Sequence, residues 1–427
     1  MKKTLAMLGA CVSLITPALA QSATVEELER RLEQLERESS SRTSVSDVDL
    51  KVGGFINAGA AATNNLTDNV VSGAGPTEEL SPPTYAGLDE EVTYDRLTSA
   101  GIQVQANVSD RVSGTIQLYA DGADDFDAQT EWAYITYQFT DATEARAGRL
   151  VIPLYMHSQY QNVGYALPWI ELPREAYDIA PVRSMEGVDL TTRFQTGNVA
   201  HSVNVFHGTL DIDVGINGTN ATFRMRDITG INLTSSLGNL STWLSYVGSE
   251  ANVDILPGTS VYDIDNDYGY FSSAGFQYDN GALLFMAEQT QLSIANRWFP
   301  ANTGSYATLG YRFGRFMPHV TWAEVDDDGY NDVRNDPVGR FLYNGLASHQ
   351  KSWTFGVRAD VATNLALKAE VSRFYDLGDE AQSAAAIPPN PLLPAGLPAH
   401  QTGSLFSSVP DRDDTPLVFR LAAQMVF

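Results

Sequence analysis

The sequence ends with the eleven residues LVFRLAAQMVF, from Leu417 to Phe427, and this stretch decides the class of fold. Every second side chain is apolar: Leu417, Phe419, Leu421, Ala423, Met425 and Phe427. The side chains between them include the cation of Arg420 and the amide of Gln424. A period of two predicts a β-strand with one apolar and one more polar face. Half-buried strands of soluble proteins also alternate in this way, but this strand has about the length, roughly 9–11 residues, of a tilted strand that crosses a bilayer.

The first twenty residues have the parts of a secretory signal peptide. Lys2 and Lys3 precede an apolar run from Leu5 to Leu19, and Ala18-Leu19-Ala20 provides a small-residue cleavage site. Leu8-Gly9-Ala10-Cys11 also fits a lipoprotein signal loosely, although cleavage there would leave a very short apolar core. We therefore predict an exported chain that begins near Gln21 and, having lost its single cysteine, forms no internal disulfide.

Residues 21–46 predict a short helix followed by a linker. Val25, Leu28, Leu32 and Leu35 recur at three- and four-residue spacing among charged residues, which is typical of a coiled-coil seam. The seam is barely two heptads long, so it is too short to be stable alone. It predicts either a small parallel coiled coil between subunits that are joined elsewhere or a solvated helix with nothing to bury. The Ser-rich segment 39–46 separates it from the main body.

The composition excludes several classes of function. The formal net charge is −25, which argues against nucleic-acid binding because that requires clustered basic residues. No phosphate-binding Gly-Lys-Ser/Thr motif or His-Glu-x-x-His motif is present, and the six histidines lack metal-ligand spacing. Asp263, Asp265 and Asp267 are spaced like the start of an EF-hand loop whose glycine and final glutamate are missing, so weak divalent-cation binding stays open there. We expect no cofactor, no metal centre and no catalytic residue.

From residue 47 onward the chain predicts an all-β architecture of about sixteen antiparallel strands. Seven short connections alternate with eight long polar ones, the latter at about 63–98, 120–130, 153–184, 208–221, 249–268, 293–304, 326–349 and 376–415. Several short connections have the Asn/Asp-Gly chemistry of tight hairpins. A β-sandwich has no reason to sort its connections into two length classes, whereas a transmembrane β-barrel has short turns at one end and long loops at the other.

Side chains of the predicted strands also sort by face. Apolar residues such as Val52, Ile56, Val188, Leu190 and Phe355 fall on the outward parity. Eight basic residues fall on the inward parity and form the predicted pore wall: Lys51, Arg193, Arg224, Arg226, Arg312, Arg358, Lys368 and Arg420. Charge on the lipid-facing midplane would cost about 2–4 kcal/mol, which explains the sorting if a bilayer surrounds the strands. Arg149 and Arg373 fall on the outward parity near strand ends, where long side chains reach the headgroups.

The connection at 153–184 combines charged and bulky side chains. Its charged residues are Glu171, Arg174, Glu175, Asp178 and Arg183, and Tyr155, Tyr160, Tyr165, Trp169 and Tyr177 lie among them. An exposed flexible loop does not need so many aromatic groups, so we expect this one to pack against other parts of the protein. The alternative is a loop on the surface between subunits.

The signal peptide, the turn-and-loop pattern, the long third loop and the terminal Phe427 together resemble the Gram-negative outer-membrane porin superfamily over about residues 47–427. The resemblance implies a trimeric, sixteen-stranded passive channel for small hydrophilic or charged solutes. It implies that the third loop narrows the lumen and that its carboxylates face the basic wall. It also implies outer-membrane lipid around the barrel and assembly-machinery recognition of Phe427. The amino-terminal helix, which would be periplasmic, resembles that of some substrate-selective members.

Two other functions stay open at this stage. An outer-membrane enzyme of the phospholipase kind would need a paired Ser and His on one external rim, and an adhesive or structural β-protein would need no channel. The choice of solute is open as well, because the inward arginines favour anions whereas the acidic loops favour cations near the mouth.

Overall fold

The computed structural model describes residues 48–64, 88, 90–180, 182–216, 219–254, 264–295, 299–328, 349–377 and 416–427. The predicted signal peptide (1–20) and the coiled-coil helix with its linker (21–46) lie outside these residues and stay predictions.

Sixteen antiparallel strands close into one barrel, which confirms the all-β barrel predicted from the sequence. Each strand pairs with its neighbours in the sequence, and the first pairs with the last. The strands are β1 (Asp49–Thr63), β2 (Ser99–Ser109), β3 (Val112–Asp121), β4 (Gln129–Thr140), β5 (Thr143–Val151), β6 (Ser184–Thr196), β7 (Val199–Ile216), β8 (Thr219–Leu237), β9 (Leu240–Asp254), β10 (Ile264–Asp279), β11 (Leu283–Ile294), β12 (Asn302–Tyr311), β13 (Phe316–Asp327), β14 (Gln350–Ala362), β15 (Leu365–Tyr375) and β16 (Leu417–Val426). One helical turn, α1 (Arg174–Tyr177), and the 3-10 turns Gly122–Asp124 and Gly164–Ala166 occur in the connections. Within the described ranges, no helix is long and apolar enough to cross a membrane.

The short connections gather at one end of the barrel, here called the turn end, and the long ones at the other, the loop end. The predicted tight turns are confirmed between the strands on either side of them. Gly238 and Gly281 have φ angles of +57° and +87°, which residues with a side chain rarely adopt. Asn280 accepts the backbone N–H of Ala282 and Leu283 through its side-chain oxygen, so side-chain chemistry as well as glycine closes this turn.

The outward face of the barrel is apolar. Large hydrophobic side chains that the sequence pattern placed outside are exposed: Val52, Ile56, Ile116, Leu118, Val188, Leu190, Phe194, Trp353, Phe355, Val357 and Leu367. A contiguous exposed apolar surface of this kind requires an apolar surrounding, and a bilayer supplies one.

Two of the predicted long connections are shorter than expected, because the strands continue into them. β7 and β8 run to Ile216 and from Thr219, and β9 and β10 run to Asp254 and from Ile264. The expected loops at 208–221 and 249–268 are therefore largely strand. Both segments are polar, and their polarity alone suggested loops. A strand that extends beyond the lipid-facing zone has no alternation of apolar residues by which the sequence could identify it.

Most of the buried apolar side chains lie inside the barrel rather than between layers. The larger cluster joins inward residues of β7–β13, such as Phe206, Phe271 and Tyr306, to residues of the connection between β5 and β6, such as Tyr155 and Trp169. A smaller cluster joins Leu88 and Leu97, from the first long connection, to Phe374 and Val418. The interior is therefore partly filled by its own loops.

Candidate lumenal constriction

The connection between β5 and β6, residues 152–183, lies inside the barrel, which confirms that it packs against other parts of the protein. We call it the inner loop. It leaves and rejoins the wall at one point, because the Ile152 N–H donates to the Arg183 carbonyl at 2.8 Å. It then reaches the turn end, where the Tyr165 hydroxyl donates to the backbone carbonyl of Thr363, between β14 and β15.

Two basic side chains of the wall hold the carbonyl groups of the inner loop. Lys368 Nζ donates to the carbonyls of Gly164, Leu167 and Trp169 at 2.7, 2.7 and 2.6 Å. Arg358 Nη1 donates to the carbonyl of Leu167 at 2.9 Å and to that of Tyr165 at 2.6 Å. Buried carbonyls need donors, and the backbone of an irregular loop supplies only some of them, such as the Leu167 N–H that donates to the Gly164 carbonyl at 3.0 Å. These two cations therefore fix the path of the loop.

Wall carboxylates do the same for the N–H and O–H groups of the loop. Glu288 on β11 accepts the backbone N–H of Met156 at 2.7 Å and the Tyr177 hydroxyl at 2.7 Å. Glu370 on β15 accepts the N–H of Ile170 at 2.8 Å. Both glutamates are almost fully buried, so each has exchanged water for loop donors.

Aromatic packing completes the attachment. The ring centroids of Tyr155 and Tyr177 lie 4.6 Å apart, and the indole of Trp169 stands edge-on to Tyr306 at 5.4 Å. Trp169 also donates from Nε1 to Thr321 at 2.8 Å. Helix α1 packs against β11, β12 and β13. The inner loop is thus bound to one side of the barrel.

A polar cavity of about 620 Å³ remains on the other side of the inner loop, where residues of β1, β2 and β3 face it. Three arginines and three carboxylates line the cavity: Arg96, Arg174, Arg183, Asp121, Glu171 and Asp178. Amide, hydroxyl and phenol groups lie among them: Asn57, Ser99, Tyr119, Gln161, Asn162 and Gln424. The surface offers donors and acceptors of both charge signs to a molecule in the lumen.

The predicted loop charges form several separate contacts. Glu171 pairs with Arg420 Nε at 2.8 Å, as the resemblance implied for loop acids and wall cations. Glu175 is instead buried and accepts from Gln350 at 2.9 Å. Arg174 and Asp178 pair with each other within the loop. Arg183 pairs with Glu131 of β4 at 2.8 Å. Of the three predicted loop carboxylates Glu171, Glu175 and Asp178, Glu171 is the one that pairs with a predicted pore-wall cation.

Six of the eight predicted wall cations lie on the inward face. Lys368 and Arg420 are buried beneath the inner loop, and Arg358 is largely so. Arg193 pairs with Glu144 at 2.8 Å, Arg312 pairs with Asp279 at 2.7 Å, and Lys51 lies near the turn end of β1 opposite Gln105. Five of these six inward cations therefore hold the loop or pair with acids rather than forming an open basic wall, and Lys51 lies exposed away from the loop.

The placement of Arg224 and Arg226 differs from the sequence pattern. Arg226 lies opposite Glu250, and a one-residue bulge follows it in β8. Glu250 shares its face with Tyr246, which is exposed on the outward side. The inward parity predicted for Arg224 and Arg226 is therefore wrong, because the bulge reverses the alternation. Arg226 pairs with Asp211 at 2.7 Å on that outer face, near the loop end.

Several residues of the site carry no sequence signal of their own. Arg146 on β5 binds Asp189 on β6 through its guanidinium, and the guanidinium carbon lies 5.1 Å from the centre of the Tyr134 ring. The alternation of side chains along β5 places Arg146 on the inward face, so the sequence pattern could have identified it as a residue of the site. Glu131 and Arg96, by contrast, lie at a bulge and in a connection, where alternation gives no guidance. Outward Arg149, as the pattern indicated, pairs with Glu186 near the loop end.

The carboxyl-terminal residue closes the barrel. The Phe427 N–H donates to the Gly54 carbonyl at 3.0 Å, and the Gly54 N–H donates to the Phe427 carbonyl at 2.9 Å. A Cβ on residue 54 would lie 2.6 Å from the Phe427 ring, so glycine is needed for this approach. The ring is on the apolar, outward face and is half-exposed.

No protein-family model matches this sequence, and no curated protein matches it either. Solved structures do match its fold. The outer membrane channel DcaP of Acinetobacter baumannii superposes with a TM-score of 0.57 at 12% identity, covering 90% of this chain and 99% of that one. The structure of Salmonella typhi OmpF in complex with daunomycin gives a TM-score of 0.55 at 12% identity, over 89% and 98%. This chain has the fold of an outer-membrane porin. An anion-selective porin from Comamonas acidovorans gives 0.53 at 11% identity, over 89% and 100%.

At these identities the likeness concerns the porin fold and not the solute. The charges that surround the lumen must therefore be taken from this chain alone. Among the described residues, no group of three or more His, Cys, Asp or Glu side chains is arranged to hold a metal ion.

Proposed function

We propose that this porin-type barrel forms a water-filled channel in the outer membrane, through which small hydrophilic or charged solutes diffuse passively. The inner loop narrows the channel, and the polar cavity beside it is part of the solute path. The observation that carries the proposal is the attachment of the loop to one wall by Lys368, Arg358, Glu288 and Glu370, which leaves a cavity lined by polar groups beside it.

The charge of the path differs from the simple layout of a basic wall facing acidic loop residues. Arg358, Lys368 and Arg420 lie under the loop and do not line the cavity at the constriction, so they act on a solute there only through the loop. Arg96, Arg174 and Arg183 line the cavity together with Asp121 and Asp178. We propose that these groups set the ion preference, since rings of charged side chains select ions at short range.

The proposal extends to assembly. The mature chain forms a homotrimer, the barrel assembly machinery recognises the strand that ends in Phe427, and the amino-terminal helix reinforces the trimer on the periplasmic side. The turn end then faces the periplasm and the loop end faces outward, as in bacterial outer-membrane barrels. Support for this comes from the closed β1–β16 seam and the length difference between the two sets of connections.

The test is the current through single channels in planar bilayers. The purified protein should give discrete conductance steps. A variant in which a four-residue turn replaces residues 153–182 should give larger steps, because the ends of the loop are already one ladder bond apart. Heat-modifiable migration on a gel controls for the folding of the barrel. A folded wild-type protein without conductance steps would refute the channel. Equal steps from the two proteins would refute the constriction.

An enzyme on the barrel surface is the second candidate to test, because a Ser–His contact occurs among the described residues. His201 Nδ1 and Ser235 Oγ lie 2.8 Å apart. The pair is on the outward face near the turn end, the ring stacks on Phe194 at 5.0 Å, and in the described part of the chain no Asp, Glu or Asn contacts the imidazole. A hydrolase needs such a third group to orient the base. Phospholipid hydrolysis that is lost in Ser235→Ala would favour the enzyme over a simple channel.

A further inference from the structure

A second cavity lies between the inner loop and the wall of β10–β14, toward the turn end. Its volume is about 300 Å³, the lower end of the range of roughly 300–1,000 Å³ for small-molecule sites. One part of its lining is apolar and comes from Leu284, Met286 and Met317. It is separate from the cavity at the proposed constriction, with which it shares no lining residue.

His157 of the inner loop lines this cavity and is 2% exposed. Its Nδ1 lies 2.7 Å from the Tyr160 hydroxyl. Burial raises the pKa of Tyr160 to about 12 and lowers that of His157 to about 4, so both groups are neutral at pH 7. We assign the hydroxyl as the donor to Nδ1, because a phenol is a stronger donor than a neutral imidazole N–H, and this assignment places the ring proton on Nε2. That buried N–H has no partner among the described residues.

Two Arg–Asp pairs form the charged part of the same lining. Arg312 binds Asp279 through two hydrogen bonds of 2.7 and 2.9 Å, and Arg358 Nε donates to Asp360 at 2.8 Å. Two guanidinium groups and two carboxylates leave no net formal charge. Such a lining offers an oppositely charged partner to both ends of a dipolar molecule. A net anion would instead lie close to the carboxylates, and a net cation close to the guanidinium groups.

We infer that this cavity is a binding site for a small zwitterion with an apolar side chain, of the free α-amino acid class. Its carboxylate accepts from His157 Nε2, which satisfies the buried donor that has no partner among the described residues of this cavity. Its ammonium group lies toward the carboxylates of Asp279 and Asp360. Its aliphatic side chain packs on Leu284, Met286 and Met317. The site does not depend on the proposed channel function, although it would hold a solute near the periplasmic exit of such a channel.

Three probes with the same branched aliphatic chain separate the contributions of the two charges. L-leucine carries both, 4-methylpentanoate lacks the ammonium group, and 3-methylbutylamine lacks the carboxylate. Saturation-transfer NMR on the full protein in detergent micelles measures all three at millimolar concentrations. We expect saturable binding of leucine, and at least tenfold weaker binding of the other two. Equal binding of the three probes, or no leucine binding up to its solubility limit, would overturn the inference.

Two variants locate the binding. His157→Phe keeps an aromatic ring in the packing and removes the N–H, so leucine affinity should fall about tenfold. Asp360→Asn removes one carboxylate from the exposed side of the cavity, so the preference for leucine over 4-methylpentanoate should shrink or reverse. Unchanged leucine affinity in His157→Phe would refute the site even if leucine binds elsewhere.

Single-channel conductance of the same proteins separates this inference from the proposed function. A protein that binds leucine as described but never conducts would refute the channel and leave the site standing. A protein that conducts normally but shows no leucine binding would refute the site alone.

Discussion

Replacing Lys368 by Met tests whether the wall holds the inner loop in place. Methionine has a similar length and keeps the packing of the stem, but it donates no hydrogen bond. The carbonyl group of Trp169 then loses the donor that Lys368 supplies. The carbonyl of Gly164 still accepts from the Leu167 N–H at 3.0 Å, and that of Leu167 still accepts from Arg358. A buried carbonyl without a partner costs about 1–3 kcal/mol, so the docked loop is destabilised by roughly 1–3 kcal/mol.

This penalty acts on the docked state only, because a raised loop regains water on its carbonyls. A change of about 1.4 kcal/mol is a factor of ten in an equilibrium constant, so even the lower limit raises the undocked fraction roughly fivefold. We expect a larger mean conductance and frequent current fluctuations in Lys368→Met. We also expect faster cleavage within residues 159–172 by an added protease, while the barrel migrates on a gel as the folded form.

Arg373→Met is the matched control, because it removes a cation from the same strand on the outward face. It should leave both the conductance and the cleavage rate unchanged. A Lys368→Met protein with the wild-type conductance, noise and protease resistance would refute the clamp. Equal effects of the two variants would show that strand β15, and not the loop, is disturbed.

Three further outcomes are expected. Phe427→Ser should lower the amount of folded, heat-modifiable barrel in the outer membrane without blocking export, since the residue closes the seam; normal amounts would contradict this role. His157 has a pKa lowered to about 4 by burial, below its unfolded value, so loop docking should weaken as the pH falls from about 6.5 to 4, by at most about 3 kcal/mol. Conductance noise should rise as the pH falls over that range in the wild type, and it should rise less in His157→Phe. An identical pH profile in the two proteins would exclude His157 as the titrating group. Arg183→Gln leaves Glu131 unpaired in the lumen, so the reversal potential in a salt gradient should shift toward cation selectivity. The shift should be larger at 0.1 M than at 1 M salt, because the Debye length falls from about 10 Å to about 3 Å between these concentrations. Outward Arg149→Gln is its control, and equal shifts in both variants would rule out a lumenal effect.

The barrel itself was predictable because lipid imposes a rule on every strand. Apolar residues must alternate on the outward face, and all connections at the turn end must be short, so the terminal strand and the turn pattern indicate sixteen strands. The rule fails where lipid is absent. Beyond the apolar band, β7 and β8 continue as polar strands that look like a loop, and one bulged residue after Arg226 reverses the faces.

The location of the candidate site was predictable from the sequence, whereas the contacts of its individual charged side chains were less so. Aromatic content placed the inner loop against other residues, and parity placed Arg358, Lys368 and Arg420 inside. Whether an inward cation faces water or a carbonyl depends on the path of an irregular loop, for which no periodic pattern exists. Lys368 and Arg193 share the same parity, yet one is buried under the loop and the other is half-exposed beside Glu144.

The attachment of the inner loop also has a consequence for the order in which the molecule is made. The loop leaves β5 early in the sequence, but most of its partners lie on β8–β16, and the bond between Gly164 and Lys368 spans 204 positions. Contacts that distant form late, because a long stretch of chain must first be positioned. The loop can therefore complete its docking only after the last strands have arrived, because Arg358, Lys368 and Glu370 lie on β14 and β15. A docked inner loop is then a sign that the barrel has closed. In a partly assembled barrel the loop would stay outside the lumen and be sensitive to proteases until the final strand is in place.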